Sequence, residues 1–120
     1  MIYTHITVQV SDLDKSLSFY QGLLGLNLVR RGPAGDGELA FLGEAGRPNI
    51  ELLCRPEETK QAHSGFSLGF QVESLKEGTA KLEQAGYPLV RGPVSPSPAV
   101  TFSFFHDPDG VEIQLVEQRR

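Results

Sequence analysis

Laid against itself, the sequence repeats, and that repeat limits the fold more than any other feature. Thr4-His5-Ile6-Thr7-Val8-Gln9-Val10-Ser11 falls on Phe66-Ser67-Leu68-Gly69-Phe70-Gln71-Val72-Glu73 at an offset of 62, with Gln-Val coincident and apolar residues alternating in phase. With one residue removed, Gly25-Leu26-Asn27-Leu28-Val29-Arg30 falls on Gly86-Tyr87-Pro88-Leu89-Val90-Arg91. At an offset of 63, Asn49-Ile50-Glu51-Leu52-Leu53 falls on Glu112-Ile113-Gln114-Leu115-Val116. Three matches in order, separated only by short slips in turn-like or helical stretches, indicate one supersecondary unit used twice. The chain of 120 residues has room for one ordinary domain, and a half of about 55 residues is marginal alone. The halves are therefore expected to pack together or against a second chain.

Both copies follow one grammar. Tyr3–Val10 alternates and reads as a strand. Ser11 or Asp12 then caps a helix whose apolar face is Leu13, Leu17, Tyr20 and Leu24, and Gly25 ends it. In the second copy Ser74 and Glu77 form an S-x-x-E capping box ahead of Leu75, Thr79, Leu82 and Ala85, and Gly86 terminates the helix. Three short strands follow each helix, near Leu26–Arg31, Glu38–Leu42 and Asn49–Cys54, then near Leu89–Gly92, Ala99–Phe105 and Val111–Glu117. Gly- and Pro-rich turns separate them: residues 32–37, 43–48, 92–98 and 107–110. The expected class is α+β: two tandem βαβββ modules, about 1–54 and 66–120, joined by a linker over 55–65, whose curved mixed sheets surround a concave cleft.

Composition narrows the function classes. Hydrophobic residues make up 39% and charged residues 22%, which fits a globular chain and not a disordered one. The net charge of −4 argues against a nucleic-acid platform, although Arg30, Arg31 and Arg91 lie in comparable places and leave room for a local basic patch. No apolar run approaches the length of a membrane helix, and no signal peptide is read at the start. A single cysteine, Cys54, forms no internal disulfide, so the cytoplasm is the expected compartment.

The repeat also marks candidate site positions. The first strands place His5 and Ser67 in register, and the last strands place Glu51 and Gln114 in register, each flanked by apolar neighbours. A pseudo-twofold arrangement is expected to bring these polar side chains onto one apolar concave surface, where each needs an explanation. Cys54, at a strand end, reads as packing.

Phe19-Tyr20-Gln21-Gly22-Leu23-Leu24-Gly25 resembles the F-Y-x-x-x-L-G motif of the vicinal oxygen chelate superfamily, which includes glyoxalases, bleomycin-resistance proteins and dioxygenases. Residues 105–115, running Phe105-His106-Asp107-Pro108-Asp109-Gly110 into Val111-Glu112-Ile113-Gln114-Leu115, resemble its D-P-D-G-x-x-I-E-L segment, and the likeness spans nearly the whole chain, glyoxalase I being closest in layout. The resemblance implies the glyoxalase fold and a homodimer. It also implies four positions that hold a divalent ion (Zn, Ni, Mn or Fe) in metal-dependent members: His or Gln, Glu, His, Glu. His5 and Glu51 match the first two, but the third falls on Ser67 and the fourth on Gln114. That leaves one negative charge where the full set has two, a poor hydroxyl donor, and a carboxamide that cannot act as a base.

Two readings follow from the resemblance. In one, a lyase or isomerase holds a metal at His5, Glu51 and Gln114, with Glu51 as the catalytic base on a small α-oxo substrate. In the other, a metal-free pocket binds or sequesters a planar or hydrophobic compound, as bleomycin-resistance proteins do. A thiol transferase of the fosfomycin type is disfavoured, because it too needs two histidines and a glutamate. Iron dioxygenase chemistry is disfavoured because His5 is the only histidine at a ligand position. Ser67, Phe104 and His106 are expected to touch the small-molecule ligand, His106 from the cleft mouth. His63 reads as a linker residue, and Asp107-Pro108-Asp109-Gly110 as a turn with Pro presetting φ and Gly supplying positive φ.

Overall fold

The computed structural model describes residues 1–55 and 64–119, and the chain divides into two compact units, Met1–Gln61 and Ala62–Arg120. Most of the 55–65 linker, with His63, lies outside the described residues. The first unit runs β1 (His5–Gln9), α1 (Leu13–Leu17) continuing as a π-helical segment over Ser18–Leu23, β2 (Leu28–Ala34), β3 (Gly37–Leu42) and β4 (Asn49–Cys54). The second runs β5 (Ser67–Gln71), α2 (Leu75–Gln84), β6 (Arg91–Ser97), β7 (Val100–His106) and β8 (Glu112–Gln118). Each unit holds one mixed sheet, ordered β1-β4-β3-β2 and β5-β8-β7-β6, with only the first pair of each parallel. The βαβββ order thus occurs twice, in an α+β chain.

The repeat extends to the strand register. Glu51 sits between Thr7 on β1 and Phe41 on β3, and Gln114 sits between Gly69 on β5 and Phe104 on β7. Period-two pleating then sorts the side chains. In the first unit Val8, Ala40, Leu42 and Leu52 are buried with Leu13, Leu17, Phe19 and Tyr20 from the helical segment. In the second, Leu68, Phe105, Ile113 and Leu115 are buried with Leu75 and Leu82. Burying each large side chain contributes about 1.5–3 kcal/mol, so the helix-facing side of each sheet carries the stability. The opposite, open face carries the polar residues.

Of the two candidate caps, Asp12 takes the N-cap of α1, its Oδ1 accepting from the Lys15 amide at 3.1 Å. Ser74 caps α2 by accepting from the Glu77 amide at 3.1 Å. A second device, invisible in the local pattern, joins α2 to its sheet: Glu117 of β8 accepts from the Leu75 amide at 2.8 Å. That bond, followed by the Arg119 guanidinium, holds the Glu117 carboxyl below the ordinary range. A lowered carboxylate stabilises the fold above the unfolded pKa, and that contribution is lost as pH falls through the folded value. The melting-temperature gap between wild type and Glu117→Gln should therefore be open at neutral pH and close on acidification. A gap independent of pH would contradict this account.

Two of the four glycine- and proline-rich stretches depart from the expected turns. The 32–37 stretch narrows to a tight turn at Gly35-Asp36, and β2 runs on to Ala34. Much of the 92–98 stretch is strand, since β6 begins at Arg91 instead of Leu89 and runs to Ser97. Both are edge strands, where Pro33, Pro93 and Pro96 need not donate to a ladder. The β6–β7 pairing is accordingly irregular, with register shifts on both sides of Val94. Among the described residues no helix is long and apolar enough to cross a membrane.

Candidate functional site

Side chains of His5 and Thr7 on β1, Asn49 and Glu51 on β4, Phe41 on β3 and Arg30 on β2 share the open face of the first sheet, as the register requires. Glu51 is the best-shielded of the charged groups here, its side chain 13% exposed. The Thr7 hydroxyl donates to Glu51 Oε1 at 2.6 Å, a short charge-assisted bond. His5 Nε2 lies 3.6 Å from the same oxygen, an ion pair when the imidazole is protonated. Its other nitrogen, Nδ1, is 2.8 Å from Thr4 Oγ1, which fixes the ring from behind. Phe41 meets the His5 ring edge to face at 5.4 Å and lies beneath the Arg30 guanidinium at 4.9 Å. The face therefore offers one carboxylate as proton acceptor, with an imidazole aimed at the same point.

The second sheet repeats the layout with different chemistry. Gln114 occupies the position of Glu51, and a Cβ on Gly69 would stand 3.4 Å from Gln114 Oε1, so the glycine leaves room for the carboxamide against β5. Ser67, Glu112 and His106 form one row across β5, β8 and β7. All three line a cavity of about 420 Å³, with Phe66 and Gly110 among its walls. Phe104 is buried under Arg91, whose guanidinium stands 3.9 Å from the ring centroid, and Phe102 packs on it edge to face at 5.6 Å. Arg91 also donates to Glu112 Oε1 at 3.0 Å.

Of the residues singled out from sequence, the first unit thus brings His5 and Glu51 together, and the second places Ser67 and His106 on one cavity. Gln114 and Phe104 are neighbours across β8 and β7 on the same open face. Sequence reasoning passed over Thr7, Phe41 and Glu112, and treated Arg30 and Arg91 only as a basic patch. A signal was present: Phe41 and Phe104 are repeat-related, as are Arg30 and Arg91, so an aromatic–arginine pair recurs.

The resemblance implies a divalent ion, and donor chemistry tests the fit. The first unit supplies one imidazole and one carboxylate; the positions matching the remaining ligands hold a hydroxyl and a carboxamide. Among the described residues no group of three or more His, Cys, Asp or Glu is placed to hold a metal ion. These residues do not fit the four-ligand set of the metal-dependent members.

Comparison with known proteins gives a consistent result. The sequence model of the Glyoxalase/Bleomycin resistance protein/Dioxygenase superfamily matches residues 2–115. A probable lactoylglutathione lyase of Synechocystis is 36% identical over 126 residues, covering 98% of this chain and 95% of the relative. The lactoylglutathione lyase of Neisseria meningitidis serogroup A is 31% identical, covering 96% and 89%. Among solved structures, the trypanothione-dependent glyoxalase I of Leishmania major superposes with a TM-score of 0.82 at 27% identity, covering 98% of this chain and 86% of that one.

Proposed function

The chain belongs to the glyoxalase/bleomycin resistance protein/dioxygenase superfamily, and on that premise we propose that it binds a small α-oxo or planar organic ligand at the open face of its first sheet without a resident divalent ion. One observation carries this reading. Glu51 Oε1 is engaged by Thr7 and approached by His5, while the repeat-related position in the second unit holds an uncharged carboxamide. Such a face hydrogen-bonds and orients a ligand oxygen. It does not assemble the charge needed to hold a divalent ion tightly.

A second reading, a lyase or isomerase, is favoured by the names of the relatives and by the position of Glu51. In it Glu51 takes a proton from the carbon beside a carbonyl and returns it to the adjacent carbon, while His5 Nε2 hydrogen-bonds the developing oxyanion. No atom is lost, so the reaction is an isomerisation. Both readings include a homodimer, since Leu28, Val94 and neighbouring Val29 and Val90 leave apolar surface at the edge strands β2 and β6. Both also include the cytoplasm, which suits a lone free Cys54.

The test is elemental analysis of purified protein, with melting curves in added Ni, Zn or Mn. The expected result is no stoichiometric divalent ion and an unchanged melting temperature, because an ion that bound the native state would raise it. A stoichiometric ion that disappears in both His5→Ala and Glu51→Ala would sink the metal-free reading. Turnover of methylglyoxal with glutathione, lost in Glu51→Gln, would decide for the isomerase; ligand binding without turnover decides for sequestration.

A further inference from the structure

The two arginine–aromatic pairs differ in one respect. In the second unit Arg91 lies over Phe104 and is neutralised by Glu112 at 3.0 Å. In the first, Arg30 lies over Phe41, but the position that repeats Glu112 is Asn49. The Asn49 side chain folds over Gly43, where a Cβ would meet Asn49 Oδ1, and that oxygen is buried with no hydrogen-bond partner. Among the described residues Arg30 has no acidic partner, whereas its neighbour Arg31 is paired with both Asp14 and Glu38. Phe41 lies beneath the guanidinium at 4.9 Å, and Gly32, on the same strand face, adds no side chain beside it. The planar guanidinium fork matches a carboxylate bidentately.

We infer that Arg30 is the recognition point for a carboxylate on the ligand, so that the compound taken by the first sheet is a small anion of the α-oxo carboxylate class. The inference rests on the binding reading above and specifies its ligand. Arg30 supplies the charge that the second unit balances internally. Phe41 on β3 links Arg30 to the rest of the face: it meets the His5 ring on one side and the Arg30 guanidinium on the other, and the Thr7–Glu51 pair lies on β1 and β4 beyond it, where the oxo group would be met.

Isothermal titration calorimetry with phenylglyoxylate and its neutral methyl ester separates the two levels. The ester keeps the ring and the oxo group and lacks only the charge. The wild type is expected to bind the acid about tenfold more tightly than the ester, the scale of a charge-assisted hydrogen-bonded pair. Arg30→Met, which keeps an apolar chain on Phe41, should bring the acid down to the affinity of the ester and leave the ester unchanged. Arg30→Lys should fall between, because it keeps the charge and loses the fork. Arg47→Met removes one positive charge from an exposed loop and should leave the acid-to-ester ratio as in wild type. Equal affinity for both compounds in the wild type, or equal losses for both in Arg30→Met, overturns the inference while the binding reading stands. Binding of neither compound overturns both.

Discussion

Replacing Phe105 by alanine is expected to cost the chain about 3–5 kcal/mol, the usual loss when a fully buried aromatic is truncated and the site cannot collapse. Phe105 is wholly buried on the helix-facing side of β7, opposite Ile113 of β8, which is also wholly buried. Its repeat partner in the first unit is Leu42, again without exposed surface. Phe102 is three residues earlier on the same strand but points to the open face, where it is only partly covered. Phe102→Ala should therefore cost far less than Phe105→Ala. Urea titrations followed by circular dichroism would show the contrast as different midpoints with similar slopes. Comparable losses for the two variants would mean that the open face is packed as tightly as the core, contrary to the pleating argument. A loss of this size is a large fraction of the stability of a small domain.

That contrast was legible before any coordinates. Alternation along the strand read at Ala99–Phe105 places Phe102 and Phe104 on one side and Phe105 on the other, and the fold is readable for the same reason: periodicity two and periodicity 3.6 are local properties of the chain. The repeat then transferred each assignment to its partner. Where the reading slipped, the cause was chemical. Gly92, Pro93 and Pro96 look like turn residues, yet β6 passes through them because an edge strand can leave one row of backbone groups unpaired. The Glu117 bond to the head of α2 joins residues 42 apart in sequence, and no local pattern announces it.

The candidate site was legible only in part. Its positions followed from the repeat, since His5/Ser67 and Glu51/Gln114 recur in phase. The contacts between them did not, because a strand sequence shows which face a residue takes and not which neighbour it meets across the ladder. Thr7 reaches Glu51 only because β1 and β4 pair in parallel with those residues opposite. Arg30 reaches Phe41 only because of an irregularity in register between Leu28 and Arg30. The most informative comparison lies inside the chain: the same backbone position carries Glu112 in one copy and Asn49 in the other, and the charge beside it is balanced in one and open in the other.

Asp107→Ala should be the most damaging change in a loop, at about 2–4 kcal/mol, because it strips two backbone donors of their shared acceptor. The D-P-D-G segment reads from sequence as a turn made by Pro and Gly, and Gly110 does adopt φ of +89°. The carboxylate nevertheless holds the loop together. Asp107 Oδ1 accepts from the amides of Asp109 and Val111, each at 2.8 Å, while the Asp107 amide donates to the Val111 carbonyl at 3.0 Å. Asp107 is only 4% exposed and Val111 is fully buried, so without the carboxylate no water replaces it at the Val111 N–H. Asp107→Asn retains an acceptor oxygen and should lose only about 1 kcal/mol, the difference between a charged and a neutral acceptor. A spectroscopic signature separates this role from simple loss of volume. Burial first, and then the Asp107 charge, raises the Tyr87 phenol above its ordinary value. Both variants should lower that titration part of the way, with the burial component remaining, as read by ultraviolet absorbance against pH. Equal destabilisation by Ala and Asn would show that the negative charge, and not the acceptor geometry, holds the turn. Because the turn sets where β8 begins, Asp107→Ala should also loosen the Arg91–Glu112 pair, which spans β7 and sits opposite Ser67 on β5, leaving both units with an arginine that lacks a fixed acidic partner.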